Sequence, residues 1–172
     1  MNAISRLAAV HWLFLGFILT GASITARAAE NPAFLKFQAK GDFTEVVAHL
    51  KHGLEAAQFQ ITAEENLSKG LENNMHLFPE GKWNTIGFDN VTAIHFCSLV
   101  FNQEAFNINL DWSILCPFKL VVYTTKKAPG DVTLVMIRPT YILAKDTHKQ
   151  AGEIGRKIEA RIVAAIEEGL SH

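Results

Sequence analysis

Apolar and polar residues alternate in several short runs of the chain, which is the pattern of strands with one buried face. Where alternation is weaker, as at 91–99, β-branched and aromatic residues favour a strand. The five predicted strands are residues 34–40, 59–63, 91–99, 118–125 and 132–138. Between the last two, Ala128-Pro129-Gly130-Asp131 has the composition of a turn, so these strands are predicted to form a hairpin.

Two longer segments have helical periodicity instead. In the first, apolar residues form one stripe from Phe43 to Leu54, and Asp42 with Glu45 resembles a capping box, which predicts a helix ending near Gln58. In the second, isoleucines recur every fourth residue from position 154 to 166. Thr147 and Gln150 have the spacing of a capping box at its start. A shorter helix is predicted within 100–110, and 66–90 is predicted to be a long connection with at most a short helix.

The order of these elements is β-α-β-β-α-β-β-α. It predicts an α+β fold: a two-layer sandwich whose largely antiparallel sheet carries its helices on one face. The segment 30–172 is predicted to be a single domain, because it contains no internal repeat and no linker-like stretch.

The first 29 residues have a different pattern. Residues 7–19 are almost continuously apolar after Arg6, and Ala26-Arg27-Ala28 matches the small-residue exit of a secretory signal peptide. We expect cleavage near Ala28 or Ala29 and a periplasmic or secreted protein. The alternative is a retained membrane anchor, but the apolar run is shorter than the about 20 residues that a spanning helix needs. After cleavage no stable membrane span is expected.

Composition then narrows the classes of protein. The chain has 172 residues with 16 basic and 17 acidic ones, a net charge of −1. Residues 1–29 hold two arginines and no acid, so 14 basic and 17 acidic residues remain after cleavage, a net charge of −3. Such a chain lacks the positive excess of a general nucleic-acid binder, and with 49% hydrophobic residues it is too apolar for a disordered one.

Several segments together resemble one known family, DUF302. They are Ile94-His95-Phe96-Cys97, the run 114–123 that contains Cys116-Pro117, and the run 132–139, preceded by the first helix and Phe59-Gln60-Ile61. The resemblance covers roughly residues 40–143. It differs where the family has Cys-Asn-Pro and this chain has Cys97-Ser98-Leu99, and where the family's Pro-Cys is reversed to Cys116-Pro117. It implies a compact α+β fold, commonly a dimer, in a family without an agreed biochemical activity.

The chain has two cysteines, Cys97 and Cys116, and three interpretations of them stay open: a disulfide, free thiols, or a redox or metal-ligating site. A single pair in an exported protein favours a disulfide. If a helical crossover joined the third and fourth strands, however, these strands would run parallel and separate the cysteines, whereas a disulfide needs Cα atoms within roughly 7 Å. A disulfide therefore requires either that the segment 100–110 folds back or that the bond joins two chains.

Histidines belong to two candidate sets of metal ligands. His95 and Cys97 lie two residues apart on a strand and so share a face, a pair that suits zinc, copper or haem iron. No CxxC, HxxxH or CxxCH motif completes that site, so a hydrogen-bonded strand histidine is favoured. His49 and His52 have a metal-compatible spacing on the first helix, but their charged neighbours favour a solvated helix face.

Aromatic residues beside a carboxylate suggest a ligand site. Asp111 and Trp112, before the fourth strand, are predicted to line a pocket together with Trp83 from the long connection. His95 is a further candidate ligand-binding residue. No nucleophile elbow, P-loop or dinucleotide fingerprint is present in the sequence. The same residues also suit the closing of a core edge.

The sequence therefore predicts a non-catalytic exported module of the DUF302 type, a homodimer that binds a small ligand or a protein partner without a cofactor. The alternative is a periplasmic redox protein, or one that handles a metal or haem, using Cys97, Cys116 and His95. An enzyme of another kind ranks behind both, because no set of acid–base or nucleophilic residues is recognisable.

Overall fold

The computed structural model describes residues 31–171, and the predicted signal peptide with its cleavage site lies outside them. Five strands form one sheet in the order β1-β5-β4-β3-β2, with every neighbouring pair antiparallel. The strands are β1 (Phe34–Lys40), β2 (Gln60–Asn66), β3 (Phe88–Cys97), β4 (Phe118–Thr125) and β5 (Ala128–Ile137). β1 and β4 have the predicted bounds.

Helices connect and follow these strands. They are α1 (Phe43–Ala56), α2 (Leu67–Asn73), α3 (Leu99–Phe106), α4 (Pro139–Ile142) and α5 (Ala151–Leu170). Short 3-10 turns occupy Met75–Leu77, Leu110–Leu115 and Leu143–Lys145. The apolar stripes of α1 and α5 share one core with the sheet, which confirms the predicted α+β sandwich. No helix within residues 31–171 is long and apolar enough to cross a membrane.

The two faces of the sheet have different surroundings. Leu120, Val122 and Leu134 point into the core under α1 and α5 and are fully buried. We call this side the helix-covered face. The alternate residues, among them Lys119, Val121 and Val135 on β4 and β5, point to the other side, which we call the open face.

α1 and α5 approach each other closely at two glycines. A Cβ atom added to Gly53 would lie 2.5 Å from the carbonyl oxygen of Ala165, and one added to Gly169 would lie 2.9 Å from that of His49. Both separations are too short for a side chain. The absence of side chains at these two positions therefore permits the close packing of the helices that cover the sheet.

Two local predictions at element ends are wrong. Thr125 pairs with Ala128, so the β4–β5 turn is Lys126-Lys127 and not 128–131. Residues 128–131 instead extend β5. There Asp131 pairs with Lys40 of β1 and forms an ion pair with it. The pairing with β1 accounts for this extension.

The start of the last helix also differs from its prediction. α5 begins at Ala151, and no side chain caps its first turn. The preceding turn is organised by Asp146, whose carboxylate accepts hydrogen bonds from the His148 amide and the Trp112 indole. The predicted capping box of Thr147 and Gln150 is therefore wrong. At α1 the predicted N-cap is confirmed, since the Asp42 carboxylate accepts from the amides of Thr44 and Glu45.

Candidate functional site

Cys97 and Cys116 are joined by a disulfide. Cys97 ends β3 and Cys116 lies just before β4, and because these strands are antiparallel both cysteines are at the same end of the sheet, with Cα atoms 5.5 Å apart. The parallel arrangement considered from the sequence is wrong: α3 and the turn Leu110–Leu115 return the chain to the end of the sheet that it left. The side-chain nitrogen of Asn102 lies 3.1 Å and 3.3 Å from the two sulfur atoms.

His95 lies on β3 beside this disulfide, with its side chain 18% exposed. Its Nε2 is 3.4 Å from a carboxylate oxygen of Glu65 but makes no hydrogen bond. Within residues 31–171 no group of three or more His, Cys, Asp and Glu side chains is placed to hold a metal ion. His49 and His52 are exposed on α1.

The predicted pocket of Trp83, Asp111 and Trp112 does not form. Trp83 contacts the ring of Phe88, the first residue of β3, whereas Trp112 belongs to the connection after its last residue. The ten residues of β3 span about 30 Å at about 3.3 Å per residue. The two tryptophans therefore lie at opposite ends of β3. The sequence indicated that both lie near strands of the sheet, but not at which end of the sheet each one lies.

These three residues have separate environments. Trp112 is buried; its indole N–H donates to Asp146 over 2.7 Å and its ring contacts His148. Asp111 is exposed. Trp83 packs between the rings of Phe78 and Phe88 and lines a polar pocket of about 400 Å³ with residues of α2 and the β4–β5 turn.

An apolar concavity lies on the open face, at the disulfide end of the sheet. It is an open groove of about 440 Å³, within the range of small-molecule sites of roughly 300–1,000 Å³. We call it the apolar groove. Its floor is formed by Val121 of β4, Val135 and Ile137 of β5, and Phe34 of β1.

The walls of the apolar groove come from two connections. Ile114 and Pro117, on either side of Cys116, form one wall, and Ile142 of α4 contributes to the other. The three isoleucines that line the groove are unusually exposed: Ile114 by 77%, Ile137 by 50% and Ile142 by 42%. The Cys116–Pro117 peptide bond in this wall is cis. The groove thus exposes a contiguous set of apolar side chains, which is typical of an interaction site.

Lys119 is the single charged residue that lines the apolar groove within the described chain. It is exposed and makes no hydrogen bond or ion pair with another described residue. Lys36 lies nearby on the open face, directly opposite Val135. The groove therefore has an apolar interior and positive charge at its edge.

A buried carboxylate anchors the α4 wall. Glu159 of α5 accepts hydrogen bonds from the guanidinium of Arg138 and from the amide and hydroxyl of Thr140. Burial by itself raises the pKa of Glu159, but the hydrogen bonds from Arg138 and Thr140 outweigh it and lower the pKa below its ordinary value. The charged form of Glu159 is the one that holds α4 beside the groove.

The opposite wall is anchored through Trp112 and Asp146. The indole hydrogen bond from Trp112, followed by that from the His148 amide, lowers the pKa of the Asp146 carboxyl. The same hydrogen bond ties the turn Leu110–Leu115, which carries Ile114, to the segment before α5. A carboxylate therefore fastens each wall, Glu159 of α5 for the one and Asp146 before α5 for the other.

Sequence reasoning missed the apolar groove, although one signal of it was present. In the runs 118–125 and 132–138, apolar residues also occupy the alternate positions that a half-buried strand gives to polar side chains, namely Val121, Val135 and Ile137. Those positions indicate that part of the open face is apolar. They do not indicate which connections enclose it.

The comparisons with known proteins agree with this fold. The family model described as "Domain of unknown function DUF302" matches residues 35–169. A solved structure, the "uncharacterized conserved protein DUF302 from Bacillus stearothermophilus", is similar with a TM-score of 0.67 and 19% identity, over 80% of this chain and 98% of that one. No curated protein matches. Since the family model covers most of the chain, this protein belongs to the DUF302 family, as the sequence resemblance predicted.

Proposed function

We propose that this DUF302 domain is an exported, non-catalytic module that binds a small apolar ligand in the apolar groove. The observation that carries the proposal is the groove itself: about 440 Å³ of concave surface lined by apolar side chains, on a face of the sheet that α1 and α5 do not cover. Ligand sites are commonly concave and mostly apolar with few polar groups.

The lining of the groove favours binding over catalysis. Its one charged residue is Lys119, and no histidine, acid, serine or threonine is part of the lining within the described residues. General acid–base chemistry needs a titratable group within hydrogen-bond reach of the reacting atom, usually with a second group that orients it. A lone exposed lysine supplies neither a pair nor an orienting partner, and the proposal requires no cofactor.

A neutral fluorescent probe, N-phenyl-1-naphthylamine, tests this function. We expect it to bind one site per chain with increased fluorescence, because the groove removes its rings from water. Ile114→Glu places a charge on the groove wall and should weaken binding at least tenfold. Ile86→Glu is the matched control, since Ile86 is 78% exposed against 77% for Ile114 and does not line the groove.

Two results would contradict the proposed site. One is an absence of saturable binding by the folded protein, with the fold verified by circular dichroism. The other is equal weakening by Ile114→Glu and Ile86→Glu, which would indicate non-specific adsorption to exposed apolar side chains.

Export is the second part of the proposal. It is supported by the signal-peptide pattern in residues 1–29 and by the Cys97–Cys116 disulfide, since disulfides persist mainly in oxidising compartments. Expression of the full chain in a bacterial host should yield periplasmic protein whose mass corresponds to cleavage near Ala28 or Ala29. Recovery of the uncleaved chain in the membrane fraction would contradict it.

Homodimer formation is the third part. Besides the DUF302 resemblance, it is supported by large apolar side chains that are exposed outside the groove, such as Leu99 and Val100 at 73% and 67%. Light scattering at micromolar concentration should give twice the mass of one chain, and Ile114→Glu should leave that mass unchanged. A monomer at every concentration would contradict the dimer, and loss of the dimer in Ile114→Glu would instead assign the groove to a second copy.

A further inference from the structure

We infer that the apolar groove selects a single-chain alkyl carboxylate, whose hydrocarbon tail lies over Val121, Val135 and Phe34 and whose carboxylate contacts the ammonium of Lys119. This inference rests on the proposed function and adds the chemical class of the ligand. Its basis is charge complementarity: an otherwise apolar lining with one free cation at its edge.

The tail has an apolar surface of the appropriate extent. Val121 and Val135 are cross-strand neighbours, and the strands β1, β5 and β4 that supply the floor lie side by side. Three adjacent strands at about 4.8 Å spacing give a floor about 10 Å across. Burial of each methylene group of an alkyl chain strengthens binding about fourfold, so a chain that crosses this floor gains affinity with length until it leaves the groove.

The head group is determined by the electrostatics of the rim. Lys119 makes no ion pair with another described residue, so its charge is available to a ligand. Lys36, on the same face beside Val135, adds positive potential, and no acidic side chain lines the groove within the described residues. Glu65 lies on β2, on the far side of β3 from Lys119, and its carboxylate oxygen is 3.4 Å from Nε2 of His95. His95 pairs with Lys119 and lies between that lysine and Glu65 in the sheet. A monovalent carboxylate matches the one ammonium that lines the groove.

This arrangement also disfavours the other amphiphiles of the same length. A protonated alkylamine would place like charges together at Lys119, which is unfavourable at close range. An uncharged alcohol would retain the tail contacts and make at most a neutral hydrogen bond, which is weaker than a charge-assisted one. The discriminating quantity is therefore how much each ligand's affinity depends on the charge at position 119.

The test is isothermal titration of the mature, disulfide-bonded protein with decanoate, decanol and decylammonium below their aggregation concentrations. Lys119→Met should weaken decanoate binding about fivefold, the effect of one solvent-exposed ion pair, and leave decanol binding unchanged within twofold. Lys119→Glu should weaken decanoate further and strengthen decylammonium. Lys127→Met at the exposed β4–β5 turn is the matched control and should change none of the three affinities.

The outcomes separate this inference from the proposed function. Saturable binding of all three amphiphiles, with the same response of each to Lys119→Met and Lys119→Glu, would overturn the carboxylate assignment and leave an unselective apolar site. If none of the three amphiphiles binds and the neutral naphthylamine probe does not bind either, the proposed function itself is overturned. Opposite responses of decanoate and decylammonium to Lys119→Glu, with unchanged binding in Lys127→Met, would support the inference.

Discussion

The two faces of the sheet contain apolar residues for different reasons. On the helix-covered face, Leu120 and Leu134 are fully buried and belong to the core that α1 and α5 share with the sheet. On the open face, Val121 and Val135 occupy neighbouring positions of the same two strands, yet they remain partly exposed. The first set is explained by folding alone, whereas the second is not.

This difference shows where to look for function in a protein of this fold. Single exposed apolar side chains are normal on protein surfaces. Here, however, the open-face residues adjoin one another and are enclosed by Ile114 and Ile142 from two separate connections. Apolar surface that is concave and not used by the core is a feature of binding sites.

The largest difference in the free energy of unfolding is expected between substitutions at two adjacent residues of β4. Leu120→Ala should lower the free energy of unfolding by about 4 kcal/mol, because it leaves a cavity at a fully buried position. Val121→Ala should lower it by less than about 1 kcal/mol, because the removed methyl groups are only partly buried, and should weaken the binding of the naphthylamine probe. Urea denaturation measures both. Similar losses of stability in the two variants would mean that the faces do not differ as described.

Loss of the disulfide is expected to come next and to act on the groove wall. Replacement of both Cys97 and Cys116 by serine should lower the free energy of unfolding by about 3 kcal/mol, since the bond closes a loop with a sequence separation of 19. Because that loop carries Ile114, probe binding should weaken as well. Denaturant unfolding and probe titration, with reduced wild-type protein as the control, check this. Unchanged probe affinity would show that the wall is held without the disulfide.

A third prediction concerns the helix-covered face. Gly53→Ala should destabilise the protein by about 2 kcal/mol, because its Cβ would collide with the α5 backbone, although alanine favours helix formation. Gly152→Ala in α5 is the matched control: its nearest neighbour is the flexible end of Arg156, and the change should stabilise the protein by up to about 1 kcal/mol. The midpoint temperature of thermal unfolding should fall in Gly53→Ala and rise in Gly152→Ala. Probe binding should be unaffected in both folded variants.

The smallest effect involves Glu159, which connects the helical layer to the groove. Because its pKa is lower in the folded state, its stabilisation is complete above the unfolded value of about 4.3 and is lost as pH falls through the folded value. Glu159→Gln should therefore lower stability by about 1 kcal/mol at pH 7, by loss of charge assistance in the bonds from Arg138 and Thr140.

Urea denaturation between pH 7 and pH 3 is the measurement for Glu159. The stability difference between wild type and Glu159→Gln should narrow as the pH falls below about 4. A difference that stays constant over this range would show that the charge of Glu159 does not contribute through these hydrogen bonds.

The parts of the fold that were predictable are those with a local physical cause. Alternation along 34–40 and 118–125 predicted both ends of β1 and β4, and the acceptor side chain of Asp42 predicted the start of α1. The errors occur where a contact with a residue distant in the sequence determines the local structure. Pairing with Lys40 places Asp131 within β5, and the bond from Trp112 to Asp146 organises the turn that replaces the capping box of Thr147 and Gln150.

The candidate site was predictable to a smaller degree. The two cysteines were recognised, and the disulfide was one of three interpretations, because its formation depends on whether the chain returns to the same end of the sheet. Trp83 and Trp112 were placed together from their sequence context, but they lie at opposite ends of β3. Lys119 was not selected, since a lysine on an alternating strand has no local feature that distinguishes it.

The sequence by itself therefore determined the class of fold and the elements that build the sheet, because apolar periodicity and helix capping act over a few residues. The family followed from the resemblance of several segments to DUF302. The tertiary structure alone decided that Cys97 and Cys116 are bonded, that α1 and α5 approach closely at Gly53, and that Ile114 and Ile142 enclose Val121 and Val135. Each of these depends on contacts between segments far apart in the chain. Their relative positions follow from the antiparallel order of the whole sheet and not from any local pattern.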